Sequence, residues 1–382
     1  MRRPEDELDH LRESGLLRGL RRIDAGDGRT VTIDDACHLN FSSNDYLGLS
    51  RHPALREAAA RALRDWGTGS TASRLICGSL APHHALEETI AGLKGTEAAL
   101  AFSTGYATAL GATTALAGKG DTIILDKLSH ASLVDGARLS GATIRVFPHN
   151  NLDKLERLLA TTRARAAGDS RILVVTESVF SMDGDLAALA EIIALKEQHG
   201  ALLLLDEAHA IGVLGATGQG LAEARGLQPR IDLQLGTLGK AVGSAGGYMA
   251  TSRALADLMV NRSRSLIYST APPPAQAAAA EAGLRLIASP EGASLRERLR
   301  GHLQRFAKLT GTPAPRSAIV PVILGTNEDA LGASRALLDA GLLVPAIRYP
   351  TVPRNSARLR ITISAAHDTG DIDTLAAGIN SL

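Results

Sequence analysis

Between about Asp121 and Ala250 the chain alternates short β-rich runs with helical patterns, and no other feature restricts the possible fold as much. The runs are DTIILD, TIRVF, RILVVTES, ALLLLDEAH, DLQLGT and GGYMAT. Alternation of this kind predicts an α/β fold with a mainly parallel sheet covered on both faces. The clearest unit spans Asp185 to Asp206. Leu186, Leu189, Ile192, Ile193 and Lys196 follow helical spacing, Gly200 is placed to end that helix, and Ala201 to Leu205 form an apolar run suited to a buried strand. Asp206 then lies at a strand's carboxyl end, where open α/β sheets bind ligands, so Glu207, Ala208 and His209 become candidates on topology alone.

The rhythm breaks at Ala271 to Ala280, where Pro272, Pro273 and Pro274 lead into a long Ala/Leu/Arg helical stretch. Beyond it come the strand-like SAIVPVIL, a helix around Asp329 to Ala340, and RLRITIS, in which Leu359, Ile361 and Ile363 alternate with polar residues. The expected organisation is an N-terminal segment (1–40), a large α/β domain (41–270) and a smaller α+β C-terminal domain (271–382). With 382 residues and 45% hydrophobic content the chain can bury a core of that size.

Forty-one basic residues against forty acidic ones leave a formal charge of +1, so no broad electrostatic footprint points to nucleic acid or an anionic membrane. Cys37 and Cys77 lie forty residues apart, a spacing that supports neither a disulfide framework nor a zinc site, and no metal is expected. The N-terminus MRRPEDELDHLRESG mixes acids among its bases and has no apolar stretch, and no later segment runs to about 18 uninterrupted apolar residues. A soluble, cytoplasmic protein is the expectation.

Only seven lysines stand beside thirty-four arginines, and one of them, Lys240, lies in TLGKAVGSAGG between a predicted strand and a glycine-rich turn. A lysine that forms an imine must lose its proton near neutral pH, which burial or a neighbouring cation makes possible; the bland alternative is an ordinary loop lysine. In LLLLDEAHAIG, Asp206 can keep a pyridine nitrogen protonated and so strengthen the ring as an electron acceptor. His209 could hydrogen-bond such a ring's phenolic oxygen or be a satisfied structural histidine. FSTGYATALGA puts hydroxyls and Gly105 before a helical pattern, an arrangement that offers free amides to a phosphate but also makes plain helix caps. His130, in KLSHASLVDG, follows a strand, where it could stack on an aromatic ring or cap a helix.

SSNDYLGLS, GSTASRLICG, FSTGY, SHASLVDG, ESVFSMDGD, DEAHAIGVLG, TLGKAVGSAGG and LIYSTAPPPAQ are eight collinear blocks spanning nearly the whole chain. In order and spacing they resemble the α-oxoamine synthases of the fold-type I pyridoxal-phosphate enzymes. The resemblance implies a fold-type I transferase that binds pyridoxal 5'-phosphate and condenses an amino acid with an acyl thioester, releasing carbon dioxide. It implies that Lys240 holds the cofactor covalently and carries protons, Asp206 pairs with the pyridine nitrogen, and His130 stacks over the ring and contacts substrate. Gly105, Tyr106, Ser181, His209 and Thr237 match cofactor-contacting positions. Arg360, in ARLRITIS, matches the arginine that receives the amino acid's carboxylate, a task suited to a planar bidentate donor. Ser269 and Thr270 match a segment that reaches the neighbouring subunit's phosphate, which implies a homodimer.

Within the family, AIRYPTVP and LIYSTAPPPAQ favour the biotin-pathway branch, which joins L-alanine to a pimeloyl thioester carried by coenzyme A or acyl carrier protein. Arg21 and Thr351 then match acyl-substrate positions. Tyr349 stands where the family often has proline, and Arg354 and Asn355 replace the small residues of that turn. Branches that use glycine with an acetyl thioester, or other amino acids and acyl groups, would share the cofactor blocks. Two readings from other classes are a catalytically silent subunit of the same fold, which intact Lys240, Asp206 and His130 oppose, and a nicotinamide-dependent protein, which lacks its G-x-G-x-x-G turn here.

Overall fold

The computed structural model describes residues 3–166 and 168–382, so the first two residues of the expected N-terminal segment lie outside the described part. Near the N-terminus β1 (Ala25–Gly26), β2 (Thr30–Ile33) and β3 (Ala36–Asn40) form an antiparallel meander. Seven strands follow: β4 (Ala98–Phe102), β5 (Thr122–Asp126), β6 (Thr143–Phe147), β7 (Ile172–Glu177), β8 (Leu202–Asp206), β9 (Leu233–Thr237) and β10 (Gly247–Thr251). The C-terminal part adds β11 (Ile319–Gly325), β12 (Leu342–Leu343), β13 (Ala346–Ile347) and β14 (Ala357–Thr362).

Strands β4 to β10 make one sheet in the order β4-β10-β9-β8-β7-β5-β6. Its pairs are parallel except the two made by β10, which runs against both β9 and β4. The six β-rich runs of the sequence coincide with β5 to β10, and the fold is the mainly parallel α/β sheet expected. Apolar cores cover both of its faces. One packs helices 105–116, 131–140 and 253–262 against Leu125, Val175, Leu204 and Leu235; the other packs helices 152–165 and 189–198 against Ile124, Val174, Leu203 and Leu205. Covering on both faces is why β8 reads as an unbroken leucine run rather than an alternating one. Each fully buried leucine contributes roughly 1.5–3 kcal/mol relative to exposure.

The helix expected from Leu186 begins at Leu189, because Leu186 is extended and bridged to Val179, with the Ala187 N–H donated to the Ser178 carbonyl. The helix stops at Gln198, and Gly200 supplies the left-handed residue (φ 59°) beyond it. A third core joins Phe41, Tyr46 and Leu47 to helices 274–287 and 290–310 and to Leu359, Ile361 and Ile363. β14 lies between β11 and β13, while β12 pairs in parallel with β3, Leu342 opposite Leu39. RLRITIS is thus a strand as expected, but Arg358 and Arg360 are buried along with its apolar residues.

Candidate active site

The carboxyl ends of the parallel strands gather the polar residues. β5 ends in Asp126, β7 in Glu177, β8 in Asp206 and β9 in Thr237. Glu177 and Asp206 sit side by side in the ladder. Beyond β9 the chain turns through Lys240 before reversing into β10, with the Gly243 N–H donated to the Lys240 carbonyl (2.9 Å). Gly243 (φ 77°) is required there twice over: its backbone is left-handed, and a Cβ would lie 2.6 Å from the Leu49 carbonyl carbon. The lysine turn is thereby pressed against the SSNDYLGLS segment.

A cavity of about 170 Å³ is lined by Gly105, Tyr106, His130, Ser132, Glu177, Asp206, Ala208, His209, Leu235, Thr237 and Lys240. Lys240 Nζ is 2.7 Å from His209 Nε2, and His209 Nδ1 is 2.5 Å from the Tyr46 hydroxyl. Burial lowers the Lys240 ammonium to about 8, opposed by the carboxylates of Asp206 and Glu177 and assisted by Arg360. Burial likewise raises Asp206 to about 6 against the pull of Lys240 and of the Ala208 N–H, whose bond to Oδ1 is 2.8 Å. Glu177 is pushed well above the usual carboxylate range by burial and by Asp206, and its Oε1 has no hydrogen-bond partner among the described residues. His209 is held well below its usual value, first by burial and then by Lys240, so its imidazole is neutral.

At the other end of the cavity the helix 105–116 begins. Thr104 caps it by accepting the Ala107 N–H (3.0 Å), which leaves the amides of Gly105 and Tyr106 at its positive end. Thr237 flanks Gly105 and donates its hydroxyl to the Gly246 carbonyl (3.1 Å). His130 does cap a helix, its Nδ1 accepting the Ser132 N–H (3.2 Å), and it also lines the cavity. Anion-binding amides, a strand-end carboxyl, an amine of lowered basicity and a partnerless buried carboxyl oxygen form a donor set that fits pyridoxal phosphate.

His130 also lines a second cavity, of about 620 Å³, with Ser181, Thr351 and Arg358. Arg360 projects from β14 with Nε donated to the Ser181 carbonyl (2.6 Å) and both terminal nitrogens donated to Asn44 Oδ1 (3.2 Å each). It has no carboxylate partner among the described residues, unlike Arg358, which pairs with Asp183 at 2.5 Å. Arg21 is exposed outside both cavities, and the guanidinium that reaches Thr351 is that of Arg18 (3.3 Å). Ser269 and Thr270 line neither cavity; Thr270 bridges to Ser73 and is exposed. Glu177, Tyr46 and Asn44 belong to the site without standing out as candidates in the sequence. Glu177 carried a signal, as the last residue of the strand RILVVTE, whereas Tyr46 and Asn44 arrive from a loop distant in sequence.

The family model for aminotransferase classes I and II matches residues 38–379. The 8-amino-7-oxononanoate synthase of Geobacter sulfurreducens is 47% identical over 98% of this chain and 96% of its own length. That of Maricaulis maris is 48% identical over 99% and 95%. Among solved structures, serine palmitoyltransferase from S. paucimobilis superposes with a TM-score of 0.91 at 33% identity, covering 99% of this chain and 96% of that one. The 8-amino-7-oxononanoate synthase of Francisella tularensis superposes with a TM-score of 0.74 at 26% identity, covering 90% and 98%.

Proposed function

Because the chain belongs to the class I and II aminotransferases and, within them, to the 8-amino-7-oxononanoate synthases, we propose that it condenses L-alanine with a pimeloyl thioester in biotin biosynthesis. The products are 8-amino-7-oxononanoate, carbon dioxide and the free thiol. It is a pyridoxal-phosphate-dependent acyltransferase. The observation that carries the reading is Lys240: an amine near 8, 2.7 Å from a neutral imidazole, in a cavity it shares with a strand-end carboxyl and a helix N-terminus.

The bound cofactor supplies a ring that accepts the electron pair left when bonds to the amino acid's α-carbon break. The chain's own groups do the rest. Arg360, without a carboxylate of its own among the described residues, receives the carboxylate of alanine, as its fork of donors suits. Lys240 Nζ, freed as a neutral amine, takes the α-proton and later returns it. Asp206 keeps its charge beside the ring nitrogen and holds a proton there. The amides of Gly105 and Tyr106, with Thr237, hold the phosphate. His130 lines both cavities, a position from which it would meet both ring and substrate. Ser181 and Thr351 line the larger cavity, whose volume suits a seven-carbon acyl chain entering from coenzyme A or acyl carrier protein; the assignment of Arg21 to the acyl substrate rests on the family resemblance, since its side chain is exposed outside that cavity.

The active unit in this reading is a homodimer working in the cytoplasm. The exposed Thr270, with Ser269 beside it, supports a contribution to the neighbouring subunit's phosphate site. Among the described residues no helix is long and apolar enough to cross a membrane. Thiol release from pimeloyl-CoA with L-alanine, run beside acetyl-CoA with glycine and beside a pimeloyl carrier-protein thioester, tests the assignment. Alanine-dependent release that disappears in Lys240→Ala supports it; turnover confined to glycine and acetyl-CoA removes it.

A further inference from the structure

The larger cavity, of about 620 Å³, has an apolar wall with charge set at particular points of it. Leu128, Val134, Phe180, Met182 and Val352 supply the apolar surface. Its cations are Lys127, Arg138 and Arg358, set against the carboxylates of Asp135 and Asp183. Two of the cations are matched: Arg358 is buried and paired with Asp183, and Arg138 stands 3.8 Å from Asp135 on its own helix. Lys127 has no carboxylate partner among the described residues. His130 adds no charge, because burial and then Lys240 hold its imidazole below the usual value. The wall therefore carries one positive charge that its own carboxylates do not neutralise. Its position is fixed by the backbone on both sides. The Lys127 N–H is donated to the Phe147 carbonyl (2.9 Å), the Leu128 N–H to Asp126 Oδ1 (2.8 Å) and the Ser129 N–H to the Asp126 carbonyl (3.0 Å).

A pimeloyl group differs from an ordinary seven-carbon acyl group in carrying a carboxylate at its far end. Taken out of water against an apolar wall, that carboxylate needs a cation, whereas a chain ending in a methyl would strip water from the cation and replace it with nothing. The reach is right. Six single bonds separate the thioester carbon from the terminal carboxyl carbon, an extended span of about 8 Å, and three residues of chain place the Cα atoms of Lys127 and His130 no more than about 11 Å apart. His130 lines both cavities, so a thioester carbon beside it is close to the cofactor, and the rest of the acyl chain can run along the apolar wall toward the lysine. We propose that Lys127 is the specificity-determining residue that receives the terminal carboxylate of a seven-carbon dicarboxylic acyl group. The inference rests on the function proposed above and names how that site selects its acyl donor. A compact charge on a flexible stem suits the end of a flexible chain, and the selection works by rejecting the uncharged chain as much as by holding the charged one.

Heptanoyl-CoA, the same chain with a methyl in place of the terminal carboxylate, isolates the contact. Calorimetric titration of wild-type holoenzyme should give a dissociation constant for pimeloyl-CoA at least about tenfold below that for heptanoyl-CoA, and Lys127→Gln should bring the two within about twofold of each other. Lys127→Glu should reverse the preference, binding 7-aminoheptanoyl-CoA at least about tenfold more tightly than pimeloyl-CoA, a charge-dependent exchange that a merely structural lysine would not produce. Cofactor absorbance checks that each variant is folded, and Lys127→Gln decides alone if the charge reversal does not fold. An unchanged ratio in Lys127→Gln overturns the inference. Equal weakening of both seven-carbon thioesters overturns it too, and assigns the lysine to the phosphates of coenzyme A. Failure of the proposed function reads differently: turnover confined to glycine and acetyl-CoA removes that function, whereas wild-type holoenzyme that turns over pimeloyl-CoA with alanine yet binds pimeloyl-CoA and heptanoyl-CoA equally well removes this inference alone.

Discussion

Lys240 shows how far one residue's neighbours can move its chemistry. Its ammonium falls to about 8 by burial although Asp206 and Glu177 both pull the other way. Removing one of those anions in Asp206→Asn therefore lowers it further in cofactor-free protein, and the pH dependence of Lys240 reductive methylation should move to lower pH. An unmoved profile would mean that Asp206 is not charged beside it. Because the unfolded lysine titrates near 10.5, the unfolded chain binds more protons between about 8 and 10.5, and this residue makes cofactor-free protein more stable as pH rises through that window. His149 has the opposite sign. Between Asp126 (3.1 Å) and Asp185 (2.7 Å) it is raised to about 10, the two hydrogen-bonded carboxylates outweighing burial. Its contribution is complete below 6.5 and disappears as pH climbs through about 10. His149→Phe should cost roughly 1–3 kcal/mol in urea melts at pH 6 and progressively less toward pH 10. Asp206, His209 and Lys240 could be found in the sequence because each follows a recognisable strand. His149 could not, since its two carboxylates come from β5 and from the loop after β7, neighbours only once the sheet has formed.

Among the elements, those with a strong local pattern were legible and those defined by partners were not. β8 announces itself as four leucines closed by an aspartate, whereas β4, Ala-Ala-Leu-Ala-Phe, has the composition of a helix and is held extended by pairing with β10. Leu186 fell into helical register by coincidence, and a bridge to Val179 claims it instead. β10 is the strand that turns against the rest, and its first residue, Gly247, touches the helix that opens at Gly105. A Cβ on Gly247 would lie 2.6 Å from the Gly105 Cα and 2.7 Å from its nitrogen. Gly247→Ala should therefore displace the helix N-terminus. Overpacking of this kind costs about 1–3 kcal/mol, and spectrophotometric titration should show pyridoxal phosphate bound at least tenfold more weakly. Full cofactor affinity in that variant would mean that the helix start does not hold the phosphate.

At the scale of the molecule the parallel sheet and the strand-end location of the site followed from alternation alone, while the joining of the two chain ends did not. β1 to β3 carry little periodic signal, and their place is settled by β12, some three hundred positions away in the sequence. The proposed dimer is tested at this scale. Sedimentation should give twice the chain mass, and Thr270→Asp, which sets a negative charge at the segment assigned to the neighbour's phosphate, should release cofactor without lowering the Tm of the cofactor-free protein; a monomer that retains cofactor would exclude the arrangement. The β3–β12 pairing also imposes an order on biogenesis. A ribosome releases the N-terminal meander early, and at roughly 5–20 residues per second about 15–60 s pass before the strand that completes its sheet has been made. For that interval the edge of β3 is an open template for other nascent chains, so yield during rapid expression should depend more on translation speed and chaperone supply than on the equilibrium stability of the finished protein.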